Sequence, residues 1–414
     1  MQNIVIVGAS LAGLRAAETL RAEGYEGTIT FIGNEQHLPY DRPPLSKNYL
    51  AGEWEPERVM LRKTEVYDEL ELFWMLGRTA TALDTAARTV TLDGGEKVAY
   101  DGLIIATGGS VRRLPNQPDI AGVHVLRTLD DATALRGGIG EGKNVVVIGA
   151  GFIGLEAAAT AVKRGAKVNV LEGLEAPLIR ALGPETGSAI GAVHVRNGVD
   201  LRCGVQVASI DGAKKVESVT LGDGTKVPAD VVIVGIGVAP ATAWLEGSGL
   251  TIRDGVVCDA NLCAGPAGVY AAGDVLRWPN NFFVDVEPDM RVEHWTNAAE
   301  QGAHAAKNMV ATIKGTEQTP YEAVPFFWSD QFDARIQFMG RANQGARVDV
   351  VAGDPAEGRW CAMYSVDDRL TGVLGVSMPK LVMPARALLS VRTSRDEALA
   401  HFARVTAPPP AQQE

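Results

Sequence analysis

The run Asn3-Ile4-Val5-Ile6-Val7-Gly8-Ala9-Ser10-Leu11-Ala12-Gly13 decides the fold. Its first five residues read as an apolar strand. A glycine-bearing turn and a helical stretch to about Glu23 follow, then a stop at Gly24 and a second strand, Thr28 to Ile32. Strand, turn, helix and strand within about thirty residues is the pattern of a dinucleotide-binding βαβ unit. The pattern returns later: a strand Asn144 to Ile148, the turn Gly149-Ala150-Gly151-Phe152-Ile153-Gly154, a helix Leu155 to Arg164 closed by Gly165, and a strand Lys167 to Leu171. The duplication extends beyond the turns. Asp93-Gly94-Gly95 precedes Tyr100-Asp101 and a strand Leu103 to Ala106, as Asp223-Gly224 precedes Ala229-Asp230 and a strand Val231 to Val234. Two similar nucleotide domains are the economical reading.

In such a turn the second glycine lets the backbone approach a pyrophosphate. The second copy is complete, with Gly149, Gly151 and Gly154; in the first, Ser10 stands between Gly8 and Gly13, small and able to donate to phosphate. Glu35 lies 22 residues past Gly13, just past the second strand, and Glu172 lies 18 past Gly154, at the end of a strand. A carboxylate there accepts from the two ribose hydroxyls and repels a 2′-phosphate. Residues 173–179 add Glu175 and contain no Lys or Arg, so NADH is expected over NADPH. One glycine turn alone also suits an ordinary strand–helix junction, and a strand-end acid is often merely solvated. Two copies, each with its acid, favour nucleotide binding.

The chain has 414 residues, enough for two or three domains, and its 46% hydrophobic and 21% charged content is that of a globular protein. Its 46 glycines, about 11% against an average near 7%, gather at the ends of apolar strands. A net charge of −11 argues against binding a nucleic-acid backbone. No apolar run reaches the ~18–20 residues of a membrane span. The first strand follows the start with no basic region or cleavage site, and four scattered cysteines suit a reducing compartment, so a cytoplasmic protein is expected. The six histidines do not pair with cysteines at zinc or iron–sulfur spacing, and no metal is expected.

From Tyr321 the texture changes to short aromatic and β-branched runs: Phe326-Phe327-Trp328, Arg335 to Met339, Arg359 to Tyr364 and Leu370 to Val376. These predict an antiparallel sheet, with a helix near Pro384 to Val391. The fold class is therefore α/β: two Rossmann-like nucleotide-binding domains plus a C-terminal α+β domain. The expected boundaries are 1–112 with 245–320 for the first, discontinuous nucleotide-binding domain, 113–244 for the second, 321–405 for the C-terminal domain, and 406–414 for a disordered tail.

Longer motifs narrow this reading. Pro39-Tyr40-Asp41-Arg42-Pro43-Pro44-Leu45-Ser46-Lys47 resembles the hallmark of the FAD-dependent NADH:ferredoxin reductases of oxygenase systems, which include the putidaredoxin, rubredoxin and biphenyl dioxygenase reductases. Ala106-Thr107-Gly108 with Arg112 and Arg113, Leu126 to Asp131, Gly151 to Glu156, Ala272-Gly273-Asp274-Val275, Arg291 to Trp295, and Phe327-Trp328-Ser329-Asp330-Gln331 also resemble that family, roughly over residues 3–392. The resemblance implies a glutathione-reductase-like FAD/NAD fold. It implies that Gly8, Ser10, Gly13, Glu35, Arg42, Pro44, Lys47, Thr107, Gly108, Arg113, Asp274, Trp295 and Trp328 serve FAD, and that Gly149, Gly151, Ile153, Gly154, Glu156, Glu172 and Gly237 serve NAD. Lys47 and Glu156 are implied as the pair at the reacting rings; each by itself would pass for an exposed lysine and a helix-face glutamate. The chain departs from the family at Ser10, at Gly109 and at Ser377-Met378-Pro379.

The resemblance implies hydride transfer from NADH to FAD, then single electrons to a two-iron, two-sulfur (2Fe–2S) ferredoxin that serves a haem monooxygenase or a ring-hydroxylating dioxygenase. Disulfide reductases of this fold place cysteines soon after the first nucleotide unit. Here the first is Cys203, Ser46 stands where a peroxidase-type cysteine would, and Cys258 and Cys263 read as structural. An acidic ferredoxin would need a basic patch, for which Lys380, Arg386, Arg392 and Arg395 are candidates. Two alternatives share the core: a small-molecule reductase of the monodehydroascorbate-reductase type, and a redox interaction protein resembling apoptosis-inducing factor.

Overall fold

The computed structural model describes residues 2–343 and 345–407. The elements that frame the sites are, in chain order, β1 (Asn3–Val7), α1 (Leu11–Ala22), β2 (Thr28–Gly33), β3 (Leu72–Leu76), β4 (Gly102–Ile105), β5 (Val123–His124), β6 (Asn144–Ile148), α2 (Phe152–Lys163), β7 (Lys167–Glu172), α3 (Pro184–Arg196), β8 (Asp200–Cys203) and β9 (Val231–Val234). They continue with β10 (Val269–Ala271), α4 (Trp295–Lys314), β11 (Phe326–Gln331), β12 (Ala334–Gly340), β13 (Arg347–Asp354), β14 (Arg359–Val366), β15 (Arg369–Val376), α5 (Ala385–Ser390) and α6 (Arg395–Thr406).

By contacts the chain divides into two compact units. The first takes in residues up to Arg112, Arg127–Leu129 and Val238–Ala323; the second takes in Arg113–Leu126, Asp130–Gly237 and the chain from Val324 on. The core of the first is a parallel sheet in the order β10-β4-β1-β2-β3. Burial dictates its composition: Ile4, Val5, Ile6, Leu103, Ile104 and Ile105 are all 0% exposed, because a parallel sheet covered on both faces has no wet side for polar residues. Helices α1 and α4 pack so closely that a Cβ on Gly302 would lie 2.1 Å from the carbonyl oxygen of Ala12.

The second unit repeats the plan, with a parallel sheet in the order β8-β7-β6-β9-β5. The duplication reaches the small sheets as well. A three-stranded antiparallel meander (Ala80–Asp84, Thr89–Leu92, Lys97–Ala99) precedes β4, and another (Val207–Asp211, Ser218–Leu221, Lys226–Pro228) precedes β9.

The C-terminal strands form an antiparallel sheet in the order β11-β12-β15-β14-β13, which by contacts belongs to the second unit. The Tyr364 hydroxyl binds it there, donating to the carbonyl of Leu182 and bonding the hydroxyl of Thr186, both at 2.9 Å. Strand β13 and helix α6 have no counterpart in the sequence reading, nor do β3, β5, α3 and β8 of the two parallel-sheet units. The tail expected from residue 406 would start on the last residue of α6, Thr406; from residue 408 on it lies outside the described residues.

Candidate functional site

Each unit presents a strand–turn–helix whose backbone dictates its residues. Gly8 (φ +125°) and Gly149 (φ +102°) lie where L side chains are strained, and a Cβ on either would meet the carbonyl oxygen of Ala106 at 2.1 Å or of Gly235 at 2.4 Å. Gly13 and Gly154 lie against the turns they follow: a Cβ would stand 2.1 Å from the Gly8 carbonyl oxygen or 2.2 Å from that of Gly149. At Gly151 a Cβ would meet no atom within 4 Å, so a methyl there would fill only the space over the turn. Neither α1 nor α2 has an acidic residue in its first turn, and the Ser10 hydroxyl caps no backbone group. The leading N–H groups of these helices thus have no carboxylate of their first turn and no N-cap side chain against them, as an anion site requires. A dinucleotide pyrophosphate fits both turns on this ground.

In the first unit the strand-end acid is part of a charged cluster. Glu35 accepts from the Tyr40 hydroxyl at 2.5 Å and from Arg42 at 2.7 Å. Arg42 also donates to the Tyr40 oxygen at 3.1 Å and to the Arg127 carbonyl at 2.6 Å, and the Leu129 N–H donates to Tyr40 at 2.9 Å. Burial pushes the Tyr40 phenol up, opposed by the Arg42 guanidinium and reinforced by Glu35. Burial works against the Arg42 charge, but Tyr40, Glu35 and Asp274 outweigh it and keep the guanidinium protonated. Asp274, in the short 3-10 turn Gly273–Val275, pairs with Arg127 at 3.1 Å.

The run containing Pro44 folds as a 3-10 turn, Pro43–Ser46, that delivers Lys47 half-buried at its end. Trp295 opens α4 and donates its indole N–H to Asp41 at 2.6 Å. Burial raises the Asp41 carboxyl, against the Trp295 bond and the Lys47 charge. Thr107 donates to the Ala241 carbonyl at 3.0 Å, and Gly108 (φ +65°) faces the Arg127 guanidinium. Arg113 is exposed and belongs to the second unit.

In the second unit Glu172 braces its own turn. One carboxylate oxygen accepts from the Ala150 N–H at 2.6 Å and the other from the Leu174 N–H at 2.9 Å. Ile153 is 47% exposed at the start of α2, and Gly237 (φ +97°) has open space where a Cβ would stand. Glu156, one turn further along α2, is only 3% exposed. Trp328 stands half-buried on β11, stacked on Phe326. Lys47 lies in the first unit, Glu156 and Trp328 in the second.

All four cysteines are free thiols. Burial pushes Cys361 up to about 12 and raises Cys258 further, so both stay protonated at neutral pH. Burial and the Glu172 carboxylate also raise Cys203.

A family model described as pyridine nucleotide-disulphide oxidoreductase matches residues 2–302, and one described as reductase C-terminal matches 326–404. The chain belongs to the pyridine nucleotide-disulphide oxidoreductase family. Within it, this reductase groups with the ferredoxin–NAD(P)+ reductases of oxygenase systems. It is 36% identical to rhodocoxin reductase of Rhodococcus erythropolis over 94% of this chain and 89% of that protein. It is 38% identical to the ferredoxin–NAD(+) reductase component of the biphenyl dioxygenase system of Paraburkholderia xenovorans, over 87% and 86%. Its structure superposes on the reductase of the covalent putidaredoxin reductase–putidaredoxin complex with a TM-score of 0.90, 32% identity and 98% of each chain covered. The family uses FAD and a nicotinamide nucleotide. No helix among the described residues is long and apolar enough to cross a membrane.

Sequence reading assigned no role to Tyr40, Asp41 or Arg127, although all three lie inside quoted motifs. Their partners are distant in sequence: Asp41 meets Trp295 across 254 positions and Arg127 meets Asp274 across 147. Only the fold brings them together.

Proposed function

We propose that this reductase is an NADH:ferredoxin reductase of the cytoplasm, with FAD in the first unit and NADH in the second. The observation that carries the reading is the duplicated nucleotide turn, set in a chain that matches ferredoxin reductases along about nine-tenths of its length. Gly8, Ser10 and Gly13 would carry the FAD pyrophosphate, and Glu35 its ribose. Arg42, Pro44, Thr107, Gly108 and Asp274 would serve the rest, and Arg113 is the further cation this reading gives to FAD. When bound, FAD supplies the conversion of a two-electron hydride donor into one-electron steps.

Trp295 opens α4, whose positive end is suited to negative charge at the flavin. Its bond to Asp41 fixes the indole. Lys47 and Glu156 would be the catalytic residues of this reading, Lys47 serving the flavin and Glu156 the nicotinamide, and Trp328 would be a further residue that serves the flavin. Gly149, Gly151, Ile153, Gly154 and Gly237 would hold NADH. Glu172 would take the adenosine ribose, and its charge would oppose the extra phosphate of NADPH.

Lys380 and Arg386 are exposed on the C-terminal part, as is Arg392. They support a docking patch for an acidic ferredoxin. Arg395 is a different case: it holds both oxygens of Asp349, at 2.9 and 3.0 Å, so its charge is already matched.

The test is NADH-driven cytochrome c reduction with and without a 2Fe–2S ferredoxin. Ferredoxin is expected to carry nearly all of the rate. A protein that passes electrons to small quinones and ignores ferredoxins is a small-molecule reductase instead.

A further inference from the structure

The motif Phe327-Trp328-Ser329-Asp330-Gln331 gave only Trp328 to the reading above, yet β11 turns its other face to α2. Phe327 on that face meets Phe152 with ring centroids 4.8 Å apart. Ser329 and Gln331, two and four residues on, are 0% exposed. Ser329 donates its hydroxyl to Oε1 of Glu156 at 2.6 Å. Gln331 Nε2 donates to the Ser329 oxygen at 3.1 Å, and Nε2 of His194, on α3, lies 2.8 Å from Gln331 Oε1.

These bonds have one direction. A carboxamide oxygen only accepts, so His194 carries its proton on Nε2. The chain then runs imidazole N–H to amide oxygen, amide N–H to hydroxyl, and hydroxyl to carboxylate. His194 is 0% exposed, and its Nδ1 has no hydrogen-bond partner among the described residues. A second proton there would be buried and unpaired. Burial accordingly holds the imidazole below the usual histidine value, against the Gln331 bond. A row of three buried polar side chains is costly where apolar ones would pack as well, unless the end of the row needs to be held.

We propose that Ser329, Gln331 and His194 are positioning residues that fix the Glu156 carboxylate for the nicotinamide. This rests on the place given to Glu156 above. Anaerobic single-turnover reduction of the FAD-loaded protein by NADH separates binding from chemistry. Ser329→Ala is expected to lower the limiting rate constant about tenfold, the order of effect of a small misplacement at a reacting centre, with the NADH dissociation constant little changed. Ser329→Thr keeps the hydroxyl and should restore the rate. In a Glu156→Gln background Ser329→Ala should add little, because both changes act through one group.

Independently of turnover, 15N-histidine NMR should report His194 as the Nε2–H tautomer at neutral pH, and Gln331→Leu should perturb that signal. An Nδ1–H tautomer contradicts the direction of the chain. A slow Glu156→Gln with a normal Ser329→Ala overturns the positioning role and leaves the Glu156 assignment standing. A Glu156→Gln protein as fast as the parent overturns the Glu156 assignment itself.

Discussion

Glu172 shows how much one side chain is asked to do. Its two oxygens already accept the Ala150 and Leu174 N–H groups, so the carboxylate is fixed beside the turn that would bear the pyrophosphate. Glu172→Ala removes a charge that opposes NADPH and leaves two backbone donors without their acceptor. The ratio of kcat/KM for NADH over NADPH should fall about tenfold, and urea denaturation should show a loss of about 1–2 kcal/mol. An unchanged cofactor ratio would remove the specificity role while leaving the brace. Glu35 differs: it is held by Tyr40 and Arg42 rather than by backbone, and its charge is matched before any ribose arrives. Sequence spacing put Glu35 just past a strand and Glu172 at the end of one; the structure has Glu35 two residues beyond β2 and Glu172 as the last residue of β7. The spacing carried no sign that one would be braced by backbone and the other by side chains.

At the scale of the element, the glycine turns separate packing from binding. Gly154→Ala would drive a Cβ to 2.2 Å from the Gly149 carbonyl oxygen, so helix and strand must part; a drop in melting temperature and weaker NAD+ binding by calorimetry are expected together. Gly151→Ala meets nothing within 4 Å and should melt as the parent does, while NAD+ affinity falls because the methyl occupies the space over the turn. If Gly151→Ala bound NAD+ normally, the pyrophosphate would not cross that turn.

The two βαβ units were legible because this geometry admits so few residues. The C-terminal sheet was legible where its strands are buried, as in Leu370 to Val376. Strand β13 was missed because it is an edge strand with no buried residue, so its alternation carries little signal. Helix α6 buries only Ala398 and Phe402, yet its start was written in the sequence: Ser394 and Glu397 form a capping box.

For the molecule as a whole, acid stability follows from two sets of shifts with the same sign. His124, His194 and His304 are held below the ordinary 6.5, chiefly by burial. A folded value below the unfolded one means stability that is complete above 6.5 and lost as pH falls below it. Asp101, Asp230 and Asp349 are lowered from 3.8, chiefly by hydrogen bonds from the Asn3 N–H, the Asn144 N–H and Arg395 respectively, so their contribution persists to about pH 4 and is lost beneath it. The urea midpoint should therefore be level from about pH 7 to 8, decline below about 6.5 and fall again below about 4. A midpoint that stayed level from pH 7 to 5 would contradict the histidine part.

With a net charge of −11, docking of an acidic partner must depend on local cations. Arg386→Glu with Lys380→Glu should raise the KM for ferredoxin and flatten its salt dependence. Arg395→Glu should act mainly on stability, since it breaks the Asp349 pair.

The most direct measurement is stoichiometric. The purified, FAD-loaded protein is mixed anaerobically with a limiting amount of NADH and an excess of oxidised 2Fe–2S ferredoxin, and reduced ferredoxin is counted from its absorbance. NADH gives two electrons and each ferredoxin takes one, so the expected result is two ferredoxins reduced per NADH consumed, at a rate that falls with added salt. NADH consumed without reduced ferredoxin would contradict the assignment of this chain as a ferredoxin reductase.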